Sequence, residues 1–151
     1  MGDFLYSQGI MKSVVICASQ RYKDEVKAFA NKLRSLGVPI VFEPNFERRP
    51  TKFLNATESV RLESASYRKQ IPGLVHEHFD RIRKADICYI YNKEGYVGVN
   101  TTLEIGFAHG KNMIIYALEP EKDIKFGGEI CRDILFTEVV TTPEELVKRL
   151  A

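Results

Sequence analysis

Three short, almost wholly apolar runs constrain this chain most: residues 13–18 (SVVICA), 86–91 (DICYIY) and 112–118 (NMIIYAL). They are too short for core helices, rich in β-branched residues and free of polar alternation. Such runs read as strands buried on both faces, as in parallel sheets covered by helices on each side. The segments between them carry helical spacing. From residue 23 to 36 the apolar positions are Val26, Phe29, Ala30, Leu33 and Leu36, and Gly37 supplies a stop.

Residues 39–42 predict a second short strand, and residues 134–140 a fifth, after a connector with Gly127 and Gly128. A helix runs through Leu74, Val75, Phe79, Ile82 and Ala85, with His78 near one edge and His76 beside it. Another is expected from about Thr101 to His109, ended by Gly110. The last opens at Thr142 with Pro143 in its first turn and Glu145 three after Thr142. The fold expected is a single α/β domain over residues 11–151: a doubly wound, five-stranded parallel sheet in the flavodoxin- or Rossmann-like order 2-1-3-4-5, helices on both faces. Residues 43–70 break the alternation. They are polar, hold Pro44, Pro50, Arg48 and Arg49, and read as a lid or binding loop, or as disorder.

Composition excludes several classes. A net charge of +2 without a polybasic run argues against a nucleic-acid polymer as partner. No apolar stretch approaches the roughly 20 residues that a bilayer requires. Residues 1–10 lack the basic start and apolar centre of a signal peptide and read as an extension. Cys17 and Cys88 lie inside strand-like runs, which suits buried thiols in a reducing, cytoplasmic compartment. No CxxC pair or Cys/His spacing suggests a metal. A phosphoacceptor receiver would need an acid ending the third strand, where Asn92 stands, and residues 20–23 suit no flavin-phosphate loop.

In an open parallel sheet, ligands bind beyond the carboxyl ends of the strands, where the strand order reverses. That nominates the loop after strand one, with Ser19 and Arg21, and the loop after strand three, reading GYVGVNTT from Gly95 to Thr102. Two glycines before a helix start let backbone N–H groups face an anion, although an empty β-to-α turn has the same look. Glu104 admits two readings. With Thr101 as N-cap it completes a capping box; facing the crevice, it is a catalytic carboxylate.

The stretch from Ala85 to Leu118 resembles the nucleoside 2-deoxyribosyltransferase-like superfamily, which includes the deoxynucleoside-monophosphate N-glycosidases. The carrying residues are Ala85-Asp86 opening the third strand, the glycine loop, then E-I-G-F-A from Glu104 with Gly110-Lys111 after it. I-C-A-S-Q-R, ending at Arg21, is similar to the family's first strand and loop. The segment H-F-D-x-I-x-x-A-D from His78, with G-Y-V-G from Gly95, also resembles a branch of small uncharacterised proteins in the same superfamily.

The resemblance implies a glutamate nucleophile at Glu104 acting on the anomeric carbon of a nucleoside or nucleoside monophosphate, with no cofactor. It implies that Ser19 and Arg21 lie near sugar or phosphate, and that the backbone of Gly98, Val99, Asn100 and Thr101 holds a 5′-phosphate. Tyr96 either stacks on the base or packs inside the turn. A homodimer or larger assembly is implied as well. One position departs from the family's pattern: eight residues before Asp86, where an aspartate is common, stands His78, with Asp80 two further on. Either is a candidate acid for the departing base; a half-exposed structural histidine and a non-catalytic nucleotide-binding domain remain the alternatives.

Overall fold

The computed structural model describes residues 11–48, 56–120 and 129–151. The expected N-terminal extension and the glycine connector at Gly127 and Gly128 lie outside the described residues, as do Arg49 and Pro50. Five strands, β1 (Val14–Cys17), β2 (Val41–Phe42), β3 (Ile87–Ile90), β4 (Ile114–Ala117) and β5 (Glu138–Val139), form one sheet in the order β2-β1-β3-β4-β5. All pairs are parallel, with Cys17 opposite Ile90 and Ile90 opposite Ala117 at the carboxyl edge. The expected topology is the observed one.

Every residue of β1 and β3 is buried, as their unbroken apolar runs require. The period of two along a strand sends alternate side chains to opposite faces. Val14, Ile16 and Tyr89 pack on one face with Val26, Phe29 and Leu33 of helix α1 (Lys23–Ser35). Leu146 and Leu150 of the last helix, α6 (Pro143–Leu150), join that side, where Thr142 accepts the Glu145 N–H as N-cap. Val15, Cys17, Cys88 and Ile90 face the other side, against Ile82 of helix α3 (Ala65–Lys84) and Ile105 and Ala108 of helix α4 (Val99–Gly110).

The reading of residues 43–70 as a loop holds for residues 43–48, which carry only a 3-10 turn at Phe46–Arg48, and is corrected from Glu58 onward. A short helix α2 (Glu58–Glu63) is capped by Thr57, and α3 begins at Ala65, capped by Ser64. Pro72 lies within α3, so one helical N–H is missing there, yet the helix continues across it for 20 residues in all. Its buried stripe is Ile71, Leu74, His78 and Ile82, steps of three and four that turn His78 inward. A four-residue helix α5 (Ile130–Asp133) precedes β5. No helix among the described residues is long and apolar enough to cross a membrane.

Candidate active site

Cys17 is the last residue of β1, His78 sits mid-way along α3, and Glu104 lies in the second turn of α4. Sheet order brings the three together on the α3–α4 face, at the carboxyl edge of the central strands. His78 Nε2 stands 3.9 Å from Glu104 Oε2, with side chains only 2% and 4% exposed. Cys17 Sγ lies 3.4 Å from the same His78 nitrogen and 3.7 Å from Cys88 Sγ. Glu104 is therefore surrounded by polarisable and polar groups on its inner side, not merely by aliphatic packing.

The capping-box reading of Glu104 is overturned. The cap of α4 is Gly98, which offers no side chain, and the helix already begins at Val99. Thr101 is thus inside the helix and buried, and Glu104 is too deep to reach back to the cap nitrogen. A carboxylate at that depth needs another reason to be there. His78 corrects the half-exposed expectation in the same way, being buried, whereas His76 is exposed.

The remaining expected residues lie in the loops past β1 and β3, and Tyr96 packs against the core cluster on the α1 side of the sheet, not against Glu104 or His78. Ser19 accepts the Arg21 N–H and caps a 3-10 turn that follows β1. Arg21 is exposed, and its guanidinium carbon lies 3.6 Å over the ring of Tyr96, a cation–π contact. Tyr96 meets Tyr22 edge to face, and Tyr22 donates to the Lys93 carbonyl, so the two loops after β1 and β3 are joined. Within the loop after β3 the chain turns with positive φ at Glu94 and Gly95, and glycine meets the second of these positions without strain. Gly98 has ordinary helical-entry angles instead. Asn92 is buried, donating to the Glu119 carbonyl and accepting its N–H, which ties β3 to β4 just past the edge. Asn100 is half-buried, while the Val99 side chain points outward, 70% exposed. Asp80 is exposed and pairs with Arg83, away from Glu104.

Sequence reading missed Cys17 as a member of this group and saw only a buried thiol. Its partner His78 is 61 residues away, and no spacing signals that contact. The available signal was position: Cys17 ends the strand whose following loop had already been nominated.

Burial first, then the neighbouring Cys88 thiol and the Glu104 carboxylate, hold the Cys17 thiol well above its ordinary value of 9.0. Burial also raises the Tyr89 hydroxyl far above its ordinary value of 10.0. Both groups stay protonated in the fold while the unfolded chain ionises. Their stabilisation is therefore complete below 9.0 and is lost as pH climbs through the ordinary thiol and phenol values. The melting temperature is expected to stay level through neutral pH and fall between about pH 9 and pH 11, with Cys17→Ser postponing the onset. Circular dichroism melts across that range check it; a midpoint that rises there contradicts the assignment.

No protein-family profile and no curated protein matches the sequence. Solved structures do match the fold. A conserved protein from Enterococcus faecalis V583 superposes with a TM-score of 0.57 at 15% identity, over 93% of this chain and 97% of that one. The CMP N-glycosidase BcmB of Clostridium botulinum gives a TM-score of 0.48 at 17% identity, over 92% of this chain and 97% of its own. The first of these supports the fold expected from the superfamily resemblance, along nearly the full length of both chains.

Proposed function

We propose that this chain cleaves, or transfers across, the N-glycosidic bond of a nucleoside or nucleoside monophosphate, with Glu104 as nucleophile. The observation that carries the reading is the buried Glu104 carboxylate, held at the carboxyl edge of the sheet against His78 and Cys17 with no capping duty. The resemblance of the Ala85 to Leu118 stretch to the nucleoside 2-deoxyribosyltransferase-like superfamily agrees with it.

In the first step a Glu104 oxygen bonds to the anomeric carbon as the carbon–nitrogen bond breaks, and the base leaves with the electron pair and takes up a proton. Water, or a second base, then attacks the glycosyl ester and returns Glu104 as a carboxylate. The distance to His78 decides between roles. Nucleophile and acid lie about 5–5.5 Å apart in retaining glycosidases, and an inverting pair stands wider still to admit a water. At 3.9 Å, His78 is placed to orient the Glu104 carboxyl group. To protonate the departing base, the imidazole must swing away as the sugar enters between them. Asp80 takes no part in this reading. Arg21 and Tyr96 flank the base or phosphate side, Ser19 shapes that loop, and the free N–H groups at the start of α4, from Val99 to Thr101, face a 5′-phosphate.

The test is incubation of the full chain with a panel of nucleosides and nucleoside monophosphates, following free base by chromatography. Release of one base class supports the reading. A second reading, a nucleotide-binding domain without chemistry, is favoured by the near-complete enclosure of Glu104, 4% exposed. It predicts a thermal shift on ligand addition with no base released.

The assembly implied by the resemblance is supported by exposed apolar side chains. Val99 and Leu103 on the outer face of α4, with Ile130 and Ile134 of the α5 region, are exposed apolar side chains. A homodimer that covers Leu103 is expected to become monomeric in Leu103→Glu, as read by light scattering. A wild-type chain already monomeric at high micromolar concentration contradicts this.

A further inference from the structure

Cys17, His78 and Glu104 offer one sulfur, one imidazole nitrogen and one carboxylate oxygen, all within 4.8 Å of one another and all buried. They come from β1, α3 and α4, so their convergence is a product of tertiary structure and not of one helix face or loop. The sulfur and nitrogen are 3.4 Å apart, and the nitrogen and oxygen 3.9 Å. Bonds of about 2.3 Å to sulfur and about 2.0–2.1 Å to nitrogen and oxygen, at tetrahedral angles, set these edges at about 3.5 Å and about 3.4 Å. The first edge is met. The second closes with a movement of roughly half an ångström, and the sulfur–oxygen edge, within 4.8 Å in this structure, has to close to about 3.5 Å as well; both movements fall to Glu104, whose carboxyl torsion is soft.

We infer that Cys17, His78 and Glu104 form a binding site for a zinc-class divalent ion, with three protein ligands and the fourth position left to water or a ligand atom. The donor set argues for that class, because thiolate and imidazole favour zinc over magnesium or calcium, which take oxygen. Charge argues the same way. A thiolate and a carboxylate together cancel a divalent cation, so the occupied centre is neutral and its burial carries no large ionic penalty. The thiol proton of Cys17 departs to solvent when the sulfur–metal bond forms. Cys88 Sγ, beyond the group of three, neighbours the ligating sulfur without joining it.

One consequence rests on the proposed glycosidic activity: an ion holding Glu104 withdraws the carboxylate from any sugar, so zinc inhibits base release and a chelator restores it. The site itself is tested without turnover. The chelator-stripped full chain is titrated with Co²⁺ under reducing conditions. A thiolate-to-cobalt charge-transfer band with tetrahedral d–d absorption is expected, saturating at one equivalent and displaced by Zn²⁺. Cys17→Ser loses the charge-transfer band, and His78→Gln weakens zinc binding by about 100-fold or more, at least the loss seen when an outer-shell partner is removed. Cys131→Ser, which alters an exposed thiol, binds as wild type does.

Because the Cys17 and His78 variants alter the core, X-ray absorption of the zinc-loaded wild type provides a readout independent of their folding. One sulfur among nitrogen and oxygen neighbours supports the site, and a shell without sulfur overturns it. Absence of the charge-transfer band in wild type, or its loss only in Cys131→Ser, overturns it as well. A chain that binds the metal yet releases no base keeps this site and loses the glycosidase reading; base release without metal binding does the reverse.

Discussion

Glu104→Gln is expected to abolish base release, by roughly 10³-fold or more in kcat, on the substrate that the wild-type chain cleaves. The amide is nearly isosteric with the carboxylate and still fits between Cys17 and His78, so the fold and the two flanking loops stay in place. What it lacks is the anionic oxygen proposed to bond to the anomeric carbon. The substrate contacts proposed at Arg21, Tyr96 and the start of α4 lie on other residues, so KM is expected to move by less than about tenfold, the pattern of an interaction made only in the transition state. Glu104→Asp separates position from charge. It keeps the carboxylate but draws it back by one methylene, and a misplacement of about 1 Å costs on the order of 100-fold. Steady-state kinetics of the three proteins, with binding of the intact nucleotide measured by calorimetry, check the series. Equal rates for wild type and Glu104→Gln would remove Glu104 from the chemistry and return it to a role in binding alone.

The sheet was legible because its information is local. An all-buried strand between two helix layers must be apolar at every position, and β1 and β3 are. The edge strands β2 and β5 span two residues each, and runs that short carry little pattern of their own, hence the loose bounds expected for them. The first turns of α3 were illegible for a physical reason: Ile71 is the earliest buried position, so the preceding turn has no core face and no stripe, and Pro72 argues against a helix. Thr101 and Glu104 have capping-box spacing, but the helix starts earlier, at a glycine that caps without a side chain. His78 and Glu104 each occupy a stripe position that a core helix would fill with leucine, and that conflict between local pattern and residue type was the legible trace of the site. Their meeting with Cys17 depends on which strands are neighbours, which no local pattern contains.

Tyr89→Ala is expected to be the most destabilising single truncation in the sheet, by about 3–5 kcal/mol, the range for emptying a buried aromatic site. Tyr89 is fully buried on the middle strand β3. Its ring stacks on Phe29 of α1 at 4.8 Å between centroids, and its hydroxyl donates to the Val140 carbonyl at 2.6 Å. One side chain thus holds the first helix and the C-terminal segment against the same strand. For a chain of this length the loss corresponds to a melting temperature lower by roughly 6–20 °C. Tyr89→Phe divides the effect. It retains the stacked ring and removes only the hydrogen bond, leaving a buried carbonyl without its donor, at a cost of about 1–3 kcal/mol. Neither change touches Cys17, His78 or Glu104, which gather on the opposite face of the sheet from Tyr89, so the chemical step proposed for Glu104 is expected to be unaffected per folded molecule. Thermal melts and denaturant titrations give the stability loss, and activity measured well below the melting point tests the separation of faces. A Tyr89→Phe chain of unchanged stability but diminished base release would show that the two faces are coupled through β3, contrary to the packing described above.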